Sequence, residues 1–150
     1  MPSYKTSKIY KINYPIALPL AKQKEQMKIL VVDDEQDITS LFQQRFRKEI
    51  RAGVFEFAFK YSGEAALEFL KEHDHEAILI LSDINMPGMS GLELLRRIRL
   101  NYPAPPPKIM MITAYGDKEN LEYAMKYVAD DFLNKHLDFN SLKDKLTSLL

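Results

Sequence analysis

From Met27 onward the chain alternates between short apolar runs and amphipathic stretches. Met27–Val32 (MKILVV) is nearly all apolar and ends abruptly in Asp33-Asp34-Glu35. Ile78–Ser82 (ILILS) ends in Asp83, and Ile109–Ile112 (IMMI) ends in Thr113. Val54–Phe59 and Asp131–Leu133 are weaker strand signals. Continuous rather than alternating hydrophobicity predicts strands covered on both faces, the condition of a parallel sheet.

Helical spacing fills the intervals. Ile38, Leu41, Phe42, Phe46 and Ile50 form one stripe; Ala65, Ala66, Phe69 and Leu70 form a second, with Ser62 as N-cap. Leu92, Leu95, Ile98 and Arg99 follow Gly91. Leu121, Ala124, Met125 and Val128 make a fourth group, and Leu142, Leu146 and Leu149 a fifth, capped by Asn140 or Ser141. Pro103–Pro107 (PAPPP) reads as an extended loop, and the His73-Asp74-His75 run as a solvated helix end. Five strands alternating with five helices predict an α/β doubly wound, flavodoxin-like fold with helices on both faces. The chain is too short for six strands and a dinucleotide site, so the five-stranded order 2-1-3-4-5 is expected.

Residues 1–26 stand apart from the domain expected over 27–150. Tyr10, Ile12, Tyr14, Ile16, Leu18 and Leu20 take every second position, a strand period that Pro15 and Pro19 restrict to an edge strand or a polyproline-like stretch. Two readings stay open: a loosely held tail, or an arm that pairs with a strand edge or a partner. Met27 is also a candidate second start, which would make the extension dispensable. Formal net charge is zero, but this segment carries +4 and the remainder −4. Nothing global therefore points to direct nucleic-acid or membrane binding. There is no cysteine, no apolar run of bilayer length and no signal-peptide core, so a cytoplasmic location is expected.

The chemistry gathers at strand ends. Strands one, three, four and five finish in Asp33-Asp34, Asp83, Thr113 and Lys135. In order 2-1-3-4-5 the ligand crevice lies where strand order reverses, between strands one and three. That brings Asp33, Asp34 and Asp83 together. Three carboxylates at close range call for a divalent cation, and oxygen donors without His or Cys indicate Mg²⁺. Asp83 is then free to attack phosphorus, with the Lys135 ammonium and the Thr113 hydroxyl on the remaining phosphoryl oxygens. A second phosphate clamp for a nucleotide is missing.

Lys28-Ile29-Leu30-Val31-Val32-Asp33-Asp34-Glu35 resembles the opening of bacterial response-regulator receiver domains. So do Leu81-Ser82-Asp83-Ile84-Asn85-Met86-Pro87-Gly88-Met89-Ser90-Gly91-Leu92-Glu93-Leu94, Ile112-Thr113-Ala114 and Ala129-Asp130-Asp131-Phe132-Leu133-Asn134-Lys135. The resemblance spans roughly Met27–Leu150. It implies Asp83 as phosphoacceptor, Asp34 as a direct Mg²⁺ ligand, Asp33 as a partly water-mediated one, and the Asn85 backbone carbonyl as a further ligand. Thr113 would be the switch hydroxyl, Phe132 the switch aromatic and Lys135 the phosphate-binding cation. The implied donor is a phosphohistidine on a sensor histidine kinase or phosphotransfer protein. A downstream protein would meet the face of the fourth helix, fifth strand and fifth helix, around Leu121, Tyr123, Met125, Lys126 and Tyr127. A homodimer is left open, as is whether the receiver stands alone or belongs to a longer chain. Met86 and Tyr115 would influence phosphate lifetime. Apart from self-phosphorylation by phosphodonors and autodephosphorylation, no enzymatic activity is implied.

Two positions depart from the family pattern. His136 replaces the usual Pro after the lysine, which predicts a trans Lys135–His136 bond, since a non-proline cis bond costs about 3–4 kcal/mol. Val128 replaces a common Gly, predicting a changed turn into strand five. Three alternatives compete with this reading. A haloacid-dehalogenase-like phosphatase would need D-x-D after strand one, where Asp33-Asp34-Glu35 stands. A flavodoxin-like carrier would need a phosphate loop in place of those acids. The third is a pseudo-receiver that binds partners constitutively without phosphorylation.

Overall fold

Five strands, β1 (Met27–Val32), β2 (Phe55–Lys60), β3 (Leu79–Asp83), β4 (Lys108–Thr113) and β5 (Asp131–Asn134), form one parallel sheet in the order β2-β1-β3-β4-β5. The helices are α1 (Asp37–Arg45), α2 (Arg47–Arg51), α3 (Gly63–Glu72), α4 (Gly91–Asn101), α5 (Lys118–Lys126) and α6 (Phe139–Ser148). The computed structural model describes residues 26–73, 79–103, 106–113, 118–127, 129–134 and 139–149.

The unbroken apolar runs have the predicted cause: each strand feeds two cores. Ile29, Val31, Leu79, Leu81, Met110 and Ile112 face α1, α2 and α6, where they meet Phe42, Phe46, Leu142 and Leu146. Leu30, Val32, Ile80, Ile109 and Met111 face α3, α4 and α5. The first core is unusually aromatic, with Phe42 and Phe46 packed against Phe57 and Phe139 at centroid distances of 5.4 to 6.1 Å. Tilted and edge-on contacts of this kind add to the area that each ring buries.

Several local expectations need correction. The first helix is not continuous to Ile50: it breaks at Phe46 (φ −109°, ψ 23°), whose N–H still bonds the Phe42 carbonyl at 2.9 Å. The break keeps Phe46 buried and also folds Ile50 onto the same core. Leu41, counted in the core stripe, is 37% exposed, because the i, i+4, i+8 row of Ile38, Phe42 and Phe46 takes the inward face. Asn140 and Ser141 lie inside the first turn of α6 rather than at its cap, since the helix starts at Phe139, which joins the aromatic cluster. His73 is held rather than solvated: it stacks on Phe69 at 4.2 Å, with Nδ1 3.0 Å from the Phe69 carbonyl. Asp74 and His75 lie outside the described residues. Ser62 caps α3 as expected, accepting from the Ala65 N–H at 3.1 Å.

Arg99, read only as part of an apolar stripe, ties the opposite end of the sheet together. It is 6% exposed and donates to the Pro107 carbonyl at 2.8 Å and to Asp130 Oδ2 at 2.9 Å. The same carboxyl oxygen accepts the Ile109 N–H at 2.7 Å, and the Asp130 N–H bonds the Ile109 carbonyl. One guanidinium thus joins α4, the entry to β4 and the entry to β5. Burial lowers the Arg99 pKa, and Asp130 works against that. Arg99→Ala is expected to cost about 3 kcal/mol in urea unfolding, since it leaves the partly buried Asp130 carboxylate without its counter-charge and the Pro107 carbonyl without its donor. Arg97→Ala, on the exposed face, should cost no more than about 0.5 kcal/mol.

Two carboxylates set a pH dependence. Hydrogen bonds from Arg96 and Arg97 hold Glu93 down at about 2. Burial pushes Asp131 up, but Lys145 and the Phe132 N–H outweigh it and leave its pKa lowered. Both folded values lie below the unfolded ones, so the contribution is complete above about pH 5 and is lost as pH falls through the folded values. Denaturant midpoints measured from pH 6 downward should therefore fall less steeply in Glu93→Gln than in the unmutated protein.

Candidate functional site

The site is built where β1 and β3 end side by side. Val32 lies level with Ser82, so the next residues, Asp33 and Asp83, emerge together. The Asp33 N–H extends the ladder to the Lys60 carbonyl at 3.1 Å, and its Oδ1 accepts the Glu35 N–H at 2.9 Å, turning the chain toward α1. Asp83 is itself a ladder residue, level with Ile112 of β4. Its Oδ1 accepts the Asn85 N–H at 3.3 Å.

Asp33, Asp34 and Asp83 each offer a carboxylate oxygen within 4.8 Å of the others. Asp33 is 4% exposed and Asp83 fully buried, while Asp34 opens toward solvent. At an effective dielectric of 20, charges about 5 Å apart repel by about 3 kcal/mol per pair. Repulsion on that scale favours cationic charge close to the three carboxylates. An all-oxygen donor set of this reach fits a hard divalent cation, Mg²⁺ in the first place. It is the one such cluster among the described residues.

The loop from β3 to α4 is held by close packing. A Cβ on Gly91 would lie 2.0 Å from the Asp83 carbonyl oxygen, and the Gly91 N–H bonds the Ile84 carbonyl at 2.8 Å. A Cβ on Gly63 would meet Met89 Sδ at 2.7 Å, and Gly88 sits at φ +74°. Ser90 caps α4 by accepting the Glu93 N–H at 3.2 Å. The Ser-x-x-Glu spacing of Ser90 and Glu93 marks this helix start in the sequence itself. The contacts of the two glycines had no such signal, because each partner is remote in sequence or depends on backbone direction.

The other expected residues divide by position. Thr113 ends β4, one residue beyond the partner of Asp83 and level with Asn134. Phe132 lies in β5 opposite Met111, half-buried against the second core. Asn85 is exposed directly after Asp83 and Ile84, and Met86 is buried beside them. Met125 is 67% exposed on α5; Tyr123 and Tyr127 pack at 5.0 Å, with Lys126 over the Tyr127 ring. Lys135, His136, Tyr115 and Val128 lie outside the described residues, so the expected trans bond and altered turn do too.

A family-wide sequence profile described as the response regulator receiver domain matches residues 29–147. The chain belongs to that family. Response regulator FleR of Pseudomonas aeruginosa is 35% identical over 117 residues, which cover 78% of this chain and 23% of that protein. Response regulator ArlR of Staphylococcus saprophyticus is 31% identical over 123 residues, 82% of this chain and 52% of ArlR. The receiver thus spans about half or less of these curated relatives. The solved structure of response regulator TrrA from Thermotoga maritima, in complex with Mg²⁺ and BeF, superposes with a TM-score of 0.67. It is 34% identical, covering 83% of this chain and all of TrrA.

In this receiver Gly91 is the tightest point of the site's scaffold. Gly91→Ala should cost about 3 kcal/mol or more in urea unfolding, because its obstacle is backbone. Gly63→Ala should cost about 1 kcal/mol, because the end of the flexible Met89 side chain can move aside.

Proposed function

We propose that this receiver of a two-component system accepts a phosphoryl group on Asp83 and thereby switches a protein contact. The observation that carries the reading is the trio Asp33, Asp34 and Asp83, with oxygens within 4.8 Å at the carboxyl ends of β1 and β3. A carboxylate oxygen of Asp83 attacks phosphorus of a phosphohistidine on a sensor kinase or phosphotransfer protein. The P–N bond breaks, and the imidazole leaves with the electron pair and takes up a proton. The product is an acyl phosphate on Asp83.

Mg²⁺, when bound by Asp33, Asp34, Asp83 and the Asn85 backbone carbonyl, would neutralise the acids and the incoming phosphoryl oxygens. Lys135 and Thr113 hold the remaining oxygens. Thr113 then moves toward the phosphoryl group and Phe132 turns inward behind it, changing the face of α5, β5 and α6. Exposed Met125 and Lys126, with Tyr123 and Tyr127 beside them, supply the apolar and basic groups through which a downstream protein would dock there. No helix among the described residues is long and apolar enough to cross a membrane. The binding-only reading is less favoured, since a constitutive module has no use for three acids held at mutual repulsion.

Incubation with acetyl phosphate, followed by intact-mass analysis, should add one phosphoryl group in the presence of Mg²⁺ and none after chelation. Asp83→Asn should add none under either condition. A folded, Mg²⁺-supplied protein that gains nothing from acetyl phosphate or from a histidine-phosphorylated donor would return the pseudo-receiver to first place.

A further inference from the structure

The sheet has an uncovered aromatic edge. β2 is an edge strand, and among the described residues no strand pairs with its outer side. The carbonyls of Val54 and Lys60 accept from the N–H groups of Met27 and Asp33 at 2.9 and 3.1 Å, so both face β1. Backbone direction alternates along a strand, so Glu56 and Ala58 also face β1, while Phe55, Phe57 and Phe59 turn their N–H and C=O groups outward. The side chains of these three phenylalanines point to the α1–α2 side. There, with Ile50, Arg47 and Gln26, they line a groove of about 420 Å³. Phe57 and Phe59 are only half-buried in it. A long aromatic edge left open is an aggregation hazard that folded proteins normally cover.

Gln26, the first described residue, lies in the wall of this groove, so the chain before it starts from the right place. Its even positions from Tyr10 to Leu20 are apolar, and Pro15 and Pro19 both fall on odd positions. In an extended strand, side chain and backbone groups reverse direction together. If the prolines, which lack N–H, face outward, the even residues offer their backbone to β2. In an antiparallel pair, residues bonded to each other carry side chains on the same face, so the even residues would place theirs in the groove. In a parallel pair, an inward-facing residue stands opposite an outward-facing one, and the apolar side chains would fall on the Ala58 face instead. Only the antiparallel sense meets both requirements.

We propose that Ile16–Leu20 of this chain add to the outer edge of β2 as an antiparallel strand, with Ile16, Leu18 and Leu20 in the groove beneath α1 and α2. Crossing from that position to β1 spans two strand spacings, about 10 Å. Residues 21–25 extend to about 17 Å, so the connection is long enough. Antiparallel edge strands on otherwise parallel sheets are common. The site of phosphorylation plays no part in the argument.

Residue-resolved amide hydrogen exchange on the full chain tests it, comparing the unmutated protein with Leu18→Asp and Ala17→Asp. The outward amides of Phe57 and Phe59 should be slow in the unmutated protein, at least about tenfold faster in Leu18→Asp, and unchanged in Ala17→Asp. Glu56 and Ala58, bonded to β1, should stay slow in all three and report an intact sheet. Contacts between the Leu18 methyls and the Phe57 ring should appear in the nuclear Overhauser spectrum of the unmutated chain. Their absence would overturn the proposal, as would equal exchange in the two variants. Protection that grows with protein concentration would also overturn it, since the strand would then come from a second copy.

Discussion

Mutual repulsion among Asp33, Asp34 and Asp83 is the constraint on which the rest of the structure turns. The sheet order makes β1 and β3 neighbours, and their level ends bring the three acids close together. A globular fold gains nothing in stability from such an arrangement. Its cost is met by rigidity around it: two apolar cores clamp the strands from both faces, and Gly91 brings α4 against the Asp83 carbonyl. Asp33 and Asp83 are therefore held close together, where a bound cation would relieve their repulsion.

The same sheet is tied at its far end by another means. Arg99 and Asp130 join α4 to the starts of β4 and β5, on the side opposite the acids. β5 is the shortest strand, with four residues, and carries Phe132. Its entry is fixed through Asp130, and its carboxyl end lies level with Thr113 of β4, where the proposed switch would act.

Much of this was legible in the sequence, and the reasons are physical. Strands buried on both faces must be continuously apolar, so β1, β3 and β4 announced themselves, as did the acids that ended the first two. Topology then placed residues 49 or more positions apart at one site. What the sequence did not disclose were features fixed by partners distant along the chain. The break at Phe46 follows from an aromatic cluster that includes Phe139, and the burial of Arg99 depends on Asp130, 31 residues away. His73 was misjudged because its stacking on Phe69 is invisible to a composition reading of His-Asp-His.

The central claim is that these carboxylates are held in repulsion and relieved by Mg²⁺. Urea unfolding of the unmutated chain and of Asp34→Asn, each with and without millimolar Mg²⁺, tests it most directly. The account predicts that Asp34→Asn is the more stable protein without metal, and that Mg²⁺ stabilises the unmutated chain but not the variant. An unmutated chain indifferent to Mg²⁺, and no less stable than Asp34→Asn without it, would contradict the account.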